Sequence, residues 1–187
     1  MPFGVSLVTA DQLIVTPSYL DIETKRPISS AGVSLDRMAE LRLEELGAET
    51  AAAANNLTLK PGQEAFLEPE TYEHLEQTLD PSNSWPRVIR EGDEVVGYIM
   101  GNFDPDAPED FLRAAIWRID VAGNAQGKGV GRFAVKAFAD EARARGFDRA
   151  TVVWASGEGG PGKFFEAVGF QVVGQTPYGE NLGALAL

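Results

Sequence analysis

Apolar residues alternate along much of residues 40–187 in a way that predicts short strands. Residues 40–46 alternate polar and apolar side chains, as a half-buried strand does. Residues 91–93, Glu-Gly-Asp, lie between two apolar runs and predict the turn of an antiparallel hairpin. By these criteria we predict strands at 40–46, 87–90, 94–103, 114–121, 150–155, 171–173 and 182–187.

Helices are predicted where apolar residues recur at every third or fourth position between breakers. The clearest case, 129–145, carries its apolar residues on one stripe and ends before Gly146. The predicted helices are 49–56, 70–79, 129–145 and 162–168. The order of the elements predicts an α/β (α+β) domain in which helices pack on a mixed sheet.

The first 39 residues follow neither pattern. Pro17 and Pro27 interrupt this segment, although 5–8 or 12–15 could form a short strand. We therefore divide the chain into an N-terminal extension or arm at 1–39 and a folded domain at 40–187. Met38 lies just before the first predicted strand, which leads to the hypothesis that the natural start lies there.

Composition narrows the class of protein. The chain has 187 residues and 44% apolar residues, enough for one domain with a core, and no apolar run reaches the length of a membrane-spanning helix. The lack of cysteine excludes disulfides and thiolate chemistry, and a single histidine, His74, argues against a histidine metal site, so we expect no metal. The N-terminus does not resemble a secretory signal, and we expect a cytoplasmic protein with no membrane partner.

The net charge of −12 bears on the partner. Such a surface repels the phosphate backbone of a nucleic acid, so nucleic acid is not expected to bind. It attracts small cationic molecules. An acidic surface that only keeps the protein in solution explains the same charge, and both interpretations stay open.

A glycine-rich segment joins the predicted strand 114–121 to the predicted helix 129–145. Its residues 126–131 are Gln-Gly-Lys-Gly-Val-Gly. Glycines let a backbone approach a ligand closely, and the first N–H groups of a helix are unpaired and lie at the positive end of its dipole. These features predict an anion site that suits a pyrophosphate, to which Lys128 and Arg132 could add charge.

Two other phosphate-binding patterns are alternatives for this segment. The P-loop pattern, Gly-x-x-x-x-Gly-Lys-Ser/Thr, does not occur in the sequence. Residues 129–134 fit the dinucleotide pattern Gly-x-Gly-x-x-Ala, which also requires an acidic residue at the end of the next strand. That strand ends in Trp-Ala-Ser at 154–156, and Glu158 comes late. Dinucleotide binding therefore stays the weaker alternative.

Residues 126–131 match the Gln/Arg-x-x-Gly-x-Gly/Ala signature of the GNAT superfamily of N-acetyltransferases, and the chain resembles that family elsewhere. The segment 116–121 resembles the strand before that loop in bacterial spermidine/spermine (diamine) acetyltransferases, where a Trp-Arg pair is common. The segment 164–170 resembles the family's Leu/Phe-Tyr-x-x-x-Gly-Phe segment. Likenesses at 63–66 and 179–180 extend the resemblance over about 40–187.

The resemblance implies a GNAT fold in which strands 114–121 and 150–155 splay apart around the pantetheine arm of acetyl-CoA, the co-substrate. Backbone groups at 119–121 would pair with that arm, and N–H groups at 126–132 would hold the pyrophosphate. The amine would attack the thioester directly, so the chain needs no cysteine. The residues implied in binding acetyl-CoA are Ile119, Asp120, Val121, Gln126, Gly127, Lys128, Gly129, Val130, Gly131, Arg132, Glu158 and Phe165.

Acetyl transfer makes two proton demands. A primary amine has a pKa of about 10 and must lose a proton before it attacks. Asp120 is the only carboxylate on the strand beside the implied thioester, and an ion pair with an arginine is its alternative role. The family's acid is a tyrosine where this chain has Phe165, so either Ser156 or Tyr178 protonates the leaving thiolate or the thiolate leaves unaided.

For the acceptor side, the candidates are Glu64 and Glu180 as partners of a cationic amine and Trp117 as a wall of the pocket. The alternative roles are surface charge for the two glutamates and core packing for the tryptophan. We expect an N-acetyltransferase for a small amine, with a polyamine first. The other hypotheses are a different acceptor (an amino acid, a protein N-terminus or an amine drug) and an acyl-CoA-binding module with little catalysis. The resemblance also permits a homodimer.

Overall fold

The structure, a computed structural model, describes residues 19–20, 27–28, 41–67 and 80–187. Within these ranges the strands are β1 (Tyr19–Leu20), β2 (Pro27–Ile28), β3 (Leu41–Glu45), β4 (Ser84–Glu91), β5 (Glu94–Phe103), β6 (Ala114–Val121), β7 (Arg149–Trp154), β8 (Gln171–Gln175) and β9 (Asn181–Ala186). The α-helices there are α1 (Ala48–Asn55), α2 (Val130–Ala144) and α3 (Gly162–Ala167). Single 3₁₀ turns form at Gln63–Phe66, Pro81–Asn83 and Asp110–Leu112.

Seven of the strands form one sheet with the order β3-β4-β5-β6-β7-β9-β8. Neighbouring strands of this sheet run antiparallel except β6 and β7, which run parallel. The short strands β1 and β2 pair with each other. The mixed, mostly antiparallel sheet of an α/β domain is thereby confirmed.

Helix α2 packs closely on the centre of the sheet. Phe138 of α2 is fully buried, and its ring stacks on Phe103 of β5 with 4.8 Å between the centroids. At Gly101, also on β5, a β-carbon would lie 2.2 Å from the Phe138 ring, so only glycine permits this approach. Gly97, four residues earlier on the same strand, faces Val130 at the start of α2. The α2 face of β5 is therefore the one that carries Gly97 and Gly101.

The predicted elements agree well with the described ones. The predicted strand 114–121 coincides with β6, and the predicted helices at 49–56, 129–145 and 162–168 differ from α1, α2 and α3 by at most one residue at either end. Strand β4 starts three residues before its predicted start because it includes Pro86. The β3–β4 register ends at Arg87, so the missing N–H of Pro86 disrupts no bond to β3.

Some of the predictions fall outside the described residues. These are the helix at 70–79, which contains His74, and the alternative strands at 5–8 and 12–15. The division of the chain at residue 39 also stays a prediction. None of the described helices combines the length and the apolar character needed to cross a membrane.

Candidate functional site

Strands β6 and β7 are neighbours over only two residue pairs. The parallel register consists of Ala115 with Thr151 and Ile116 with Val152. Strand β6 continues to Val121, whereas β7 remains paired with β9 as far as Trp154. Beyond the second pair the two strands diverge. The sheet therefore contains a gap that opens toward the C-terminal ends of β6 and β7.

A β-bulge lies where the gap begins. Met100 of β5 pairs with Arg118 of β6, and the next residue, Gly101, pairs with Ile116. Trp117 is therefore an extra residue on β6, immediately after the last pair with β7. A bulge bends its strand and increases the local twist, which accounts for the divergence at this point. The Trp117 side chain is itself buried in the core.

The glycine-rich segment lies at the open end of the gap because it follows β6 directly. Gly127 and Gly129 adopt left-handed φ angles of 74° and 92°, which favour glycine. Helix α2 starts at Val130, and its first helical bond runs from the N–H of Phe133 to the carbonyl of Gly129, 2.9 Å. The N–H groups that precede Phe133 thus stand at the positive end of α2, as an anion site requires.

The two cations predicted for this site differ in their surroundings. Lys128 is exposed at the tip of the loop. Arg132 is half-buried and donates a hydrogen bond to the carbonyl of Ala167 at the end of α3, 3.2 Å. Arg132 thus joins α2 to α3 beside the loop, and Lys128 is the more accessible charge for a ligand.

Gln126 is directed into the protein. Its backbone N–H donates to Ala122 O, 3.0 Å, and its buried side chain donates to Val121 O, 3.0 Å. The same side chain forms two reciprocal hydrogen bonds with Gln63, at 2.7 and 3.2 Å. The first residue of the signature therefore anchors the loop. Sequence reasoning missed Gln63, because an isolated glutamine in a loop gives no periodic signal.

A charged cluster lies on the face of the sheet away from α2. Tyr98 follows Gly97, which faces α2, so it points to the other face, and it pairs directly with Asp120. Asp120 is almost completely buried and accepts a hydrogen bond from Arg118 Nε at 2.5 Å. The pKa of Tyr98 is raised to about 12, mainly by burial. The positive charge of Arg118 acts to lower this pKa, and the negative charge of Asp120 acts to raise it. The phenol therefore keeps its proton at neutral pH. Tyr98 was not among the predicted site residues.

Phe165 is fully buried in an aromatic cluster. Its ring centroid lies 5.2 Å from that of Trp154 and 5.2 Å from that of Phe164. The ring of Phe170 meets it edge-on at 5.6 Å. The position at which the resemblance expects a tyrosine hydroxyl is therefore apolar and carries no proton donor.

The loop after β7 lines a cavity of about 310 Å³. Ser156 and Glu158 line it together with Lys163 of α3. Asn181 at the start of β9 donates a hydrogen bond to the Ser156 hydroxyl, 2.9 Å. Ser156 and Glu158 are thus brought to one site at the end of β7. Asn181 is a further polar residue there that the sequence did not predict.

The turn between β8 and β9 brings two more candidates to the same end of β7. Tyr178 is exposed, whereas Glu180 is 6% exposed. The hydroxyl of Thr176 donates to Glu180 Oε2 at 3.1 Å. Glu180 is next to Asn181, which pairs with Trp154 at the end of β7. A buried carboxylate therefore lies near the C-terminal end of β7, on the side of β9.

Glu64 is the most exposed of the predicted acceptor-side residues. It lies in the 3₁₀ turn after α1, and its carboxylate accepts a hydrogen bond from the N–H of Gly62, 2.8 Å. Its charge is accessible from solvent. The structure groups Glu180, Ser156 and Tyr178 near the end of β7, while Glu64 belongs to a separate segment.

Comparison with known proteins finds one family model that matches this chain. The model of the acetyltransferase (GNAT) family matches residues 51–170, which include the gap, the glycine loop and all of α3. No functionally curated protein is similar enough in sequence to match the chain.

Solved structures share the fold at low sequence identity. An acetyltransferase from Thermus thermophilus is 22% identical, with a TM-score of 0.51 over 79% of this chain and 97% of its own. The ribosomal-protein-S18-alanine N-acetyltransferase of Escherichia coli is 14% identical, with a TM-score of 0.55 over 78% of this chain and 93% of its own. A GNAT family acetyltransferase from Elizabethkingia anophelis, solved with acetyl-CoA bound, is 16% identical, with a TM-score of 0.54 over 79% of this chain and 99% of its own. At these identities the likeness shows the fold alone.

Proposed function

Since the chain belongs to the acetyltransferase (GNAT) family, we propose that it transfers the acetyl group of acetyl-CoA to a small amine, with a polyamine as the first candidate acceptor. Family membership makes the chain an acetyl-CoA-dependent N-acetyltransferase. The identity of the amine and the roles of individual residues are the parts that this proposal adds.

The observation that carries the proposal is the gap between β6 and β7 with the glycine loop at its open end. A pantetheine arm is narrow and carries amide groups, so it can lie along β6 like an additional strand. Ile119 and Val121 would present backbone groups to it, together with those of Asp120. The N–H groups of Gly127, Lys128, Gly129, Val130, Gly131 and Arg132 would then face the pyrophosphate at the positive end of α2.

The transfer joins the amine nitrogen to the thioester carbonyl carbon and breaks the carbon–sulfur bond, which releases CoA as a thiolate or thiol. The amine must first give up a proton. We propose that Asp120 of β6 receives this proton, directly or through water. The hydrogen bond from Arg118 fixes the orientation of the Asp120 carboxylate, so Asp120 would act by orienting the amine and relaying its proton.

The leaving thiolate has two candidate proton donors. Phe165 cannot serve, because a phenyl ring has no proton to donate. Ser156 is held by Asn181 at the end of β7, and Tyr178 is exposed on the neighbouring turn. A thiol is a far stronger acid than an alcohol, so departure without a donor costs little.

Three features support a cationic acceptor. Glu180 is a buried carboxylate near the end of β7, Glu64 adds an accessible charge, and the whole chain carries a net charge of −12. A buried carboxylate is stabilised when a cation pairs with it, so an ammonium group of the acceptor suits Glu180. Polyamines carry several ammonium groups and would suit both glutamates.

A second candidate function is an acyl-CoA-binding module with little catalysis. The observation that favours it is the replacement of the family's tyrosine hydroxyl by the buried ring of Phe165. This alternative shares the CoA site and differs only in turnover.

The test is a thiol-release assay with acetyl-CoA and a panel of acceptors: spermidine, single amino acids and a peptide with a free N-terminus. We expect release that saturates with spermidine and falls in Ser156→Ala or Tyr178→Phe, whichever residue is the donor. Saturation with the peptide or an amino acid alone would replace the polyamine by that acceptor. Thermal stabilisation by CoA without release on any amine would establish the binding module instead.

A further inference from the structure

The segment at 58–66, here named the strap, is hydrogen-bonded to the glycine loop. Thr58 O accepts from the N–H of Gly123, 2.8 Å. Gln63 and Gln126 form their reciprocal amide pair a few residues further along. Both glutamines are buried, with 2% and 5% of their surfaces exposed. The strap thus holds the loop that follows β6 at two separate points.

The other end of the strap reaches the loop that follows β7. The ring of Phe66 lies against Gly157 and Gly160, where a β-carbon would come within 3.2 and 3.0 Å of Phe66 Cε1. Residues larger than glycine would force the ring away. The strap therefore spans the open end of the gap, from the loop after β6 to the loop after β7.

Backbone groups fix the orientation of the amide pair. The carbonyl of Val121 needs a donor, which places Gln126 Nε2 toward it. The N–H of Lys60 needs an acceptor, which places Gln63 Oε1 toward it at 3.1 Å. With these two ends fixed, each glutamine donates to the other and accepts from it. In Gln63→Glu the carboxylate could still accept from Lys60 and Gln126 but could not donate.

We propose that Gln63 is a positioning residue for the pyrophosphate loop, which it holds through Gln126 in the conformation that binds acetyl-CoA. The inference rests on the proposed function. The loop contains two glycines with left-handed φ angles, so without an anchor it would lose conformational freedom when ligand binds. A preorganised loop avoids that entropic cost. The strap consequently sets affinity for acetyl-CoA, while the chemistry at β6 depends on other residues.

The test measures the Kd of CoA by titration calorimetry and the KM and kcat of acetyl transfer for Gln63→Leu and Gln63→Glu. We expect Gln63→Leu to raise Kd and the KM for acetyl-CoA about tenfold, the scale of a lost buried hydrogen bond, with kcat changed less than about threefold. Gln63→Glu keeps two of the three hydrogen bonds but buries a negative charge beside the proposed pyrophosphate site, so it should raise Kd at least as much as Gln63→Leu. Gln63→Glu also serves if Gln63→Leu does not fold.

Asn102→Leu is the matched control. Asn102 is buried and donates to Leu112 O, 3.1 Å, near the end of β5 that lies away from the glycine loop. It should lose comparable stability while its Kd for CoA stays within about twofold of wild type. An unchanged Kd in Gln63→Leu and Gln63→Glu overturns the inference, as does an equal rise in Asn102→Leu. A wild-type protein that does not bind CoA would contradict the proposed function instead.

Discussion

Tyr98 of β5 lies directly opposite Asp120 of β6, on the face of the sheet that points away from α2. Asp120 in turn holds Arg118, two residues earlier on the same strand and therefore on the same face. A buried phenol, a carboxylate and a guanidinium thus form one cluster next to the gap. Their proximity gives the cluster a measurable response to pH and to substitution.

The first prediction concerns the alkaline stability of the protein. The pKa of Tyr98 is raised from 10.0 to about 12 in the folded state, so above pH 10 the unfolded chain loses this proton before the folded protein does. The stabilising contribution is fully present below pH 10 and is lost as the pH rises toward 12, by up to about 3 kcal/mol. Tyr98→Phe should show a smaller decline in unfolding free energy between pH 9 and 11, measured with urea.

Absorbance titration of the phenol groups provides the check on that assignment. Wild type should contain a late-titrating tyrosine that Tyr98→Phe lacks. The exposed Tyr178 supplies the comparison, because Tyr178→Phe should leave the late component in place. If the late component persists in Tyr98→Phe, the pKa belongs to another group.

The second prediction concerns the ion pair itself. Asp120→Asn leaves the Arg118 guanidinium beside a neutral amide, and breaking a mostly buried pair in this way should cost about 3 kcal/mol of unfolding free energy. Replacing both partners by apolar residues, as in Arg118→Met with Asp120→Leu, should recover much of that loss. Urea unfolding of the single and double variants measures both. A double variant as unstable as the single one would refute the pair's role in stability.

The third prediction separates backbone strain from ligand binding. Gly129 and Gly146 flank α2 with nearly equal left-handed φ angles of 92° and 88°. Alanine at either position should destabilise the fold by about 1–3 kcal/mol. Only Gly129→Ala should weaken the binding of CoA, because only that residue belongs to the glycine loop. Calorimetric titration of both variants with CoA measures this difference. Similar CoA affinities of the two variants would show that Gly129 is not part of the binding site.

The fourth prediction concerns a hydroxyl at position 165, where the resemblance expects a tyrosine. Phe165→Tyr would place an oxygen among the rings of Trp154 and Phe170, which supply no acceptor. The variant should lose about 1–3 kcal/mol of stability without a gain in kcat. Phe164→Tyr, an equally buried neighbour, is the control for stability alone. A higher kcat in Phe165→Tyr would show that residue 165 reaches the leaving thiolate.

Much of the fold could be predicted because its signals are local. The alternation in β6 and the periodicity of α2 each follow from side chains that are near in sequence. The glycine loop was recognisable for the same reason, since Gly127 and Gly129 carry out their backbone role within a few residues. The element bounds therefore agree closely with those predicted.

The contacts between distant segments could not be predicted in this way. Gln63 and Gln126 are 63 residues apart, and nothing near either glutamine in sequence indicates that the two amides meet. The bulge at Trp117 depends on its register with β5, and the sequence of β6 alone looks like an uninterrupted strand. Likewise, the sequence around Phe165 does not indicate that its ring contacts Trp154 of β7.

The two-pair contact between β6 and β7 divides the large sheet into a block of four strands and a block of three. Cooperative unfolding of a sheet depends on hydrogen bonds that run across every strand boundary, and this boundary has the fewest registered pairs. A co-substrate lying in the gap would complete the missing part of the ladder with bonds that the polypeptide does not supply. Acetyl-CoA would then act as a structural component of the sheet as well as a reactant. When it dissociates, the two blocks of strands would again be joined by only the two registered pairs between β6 and β7.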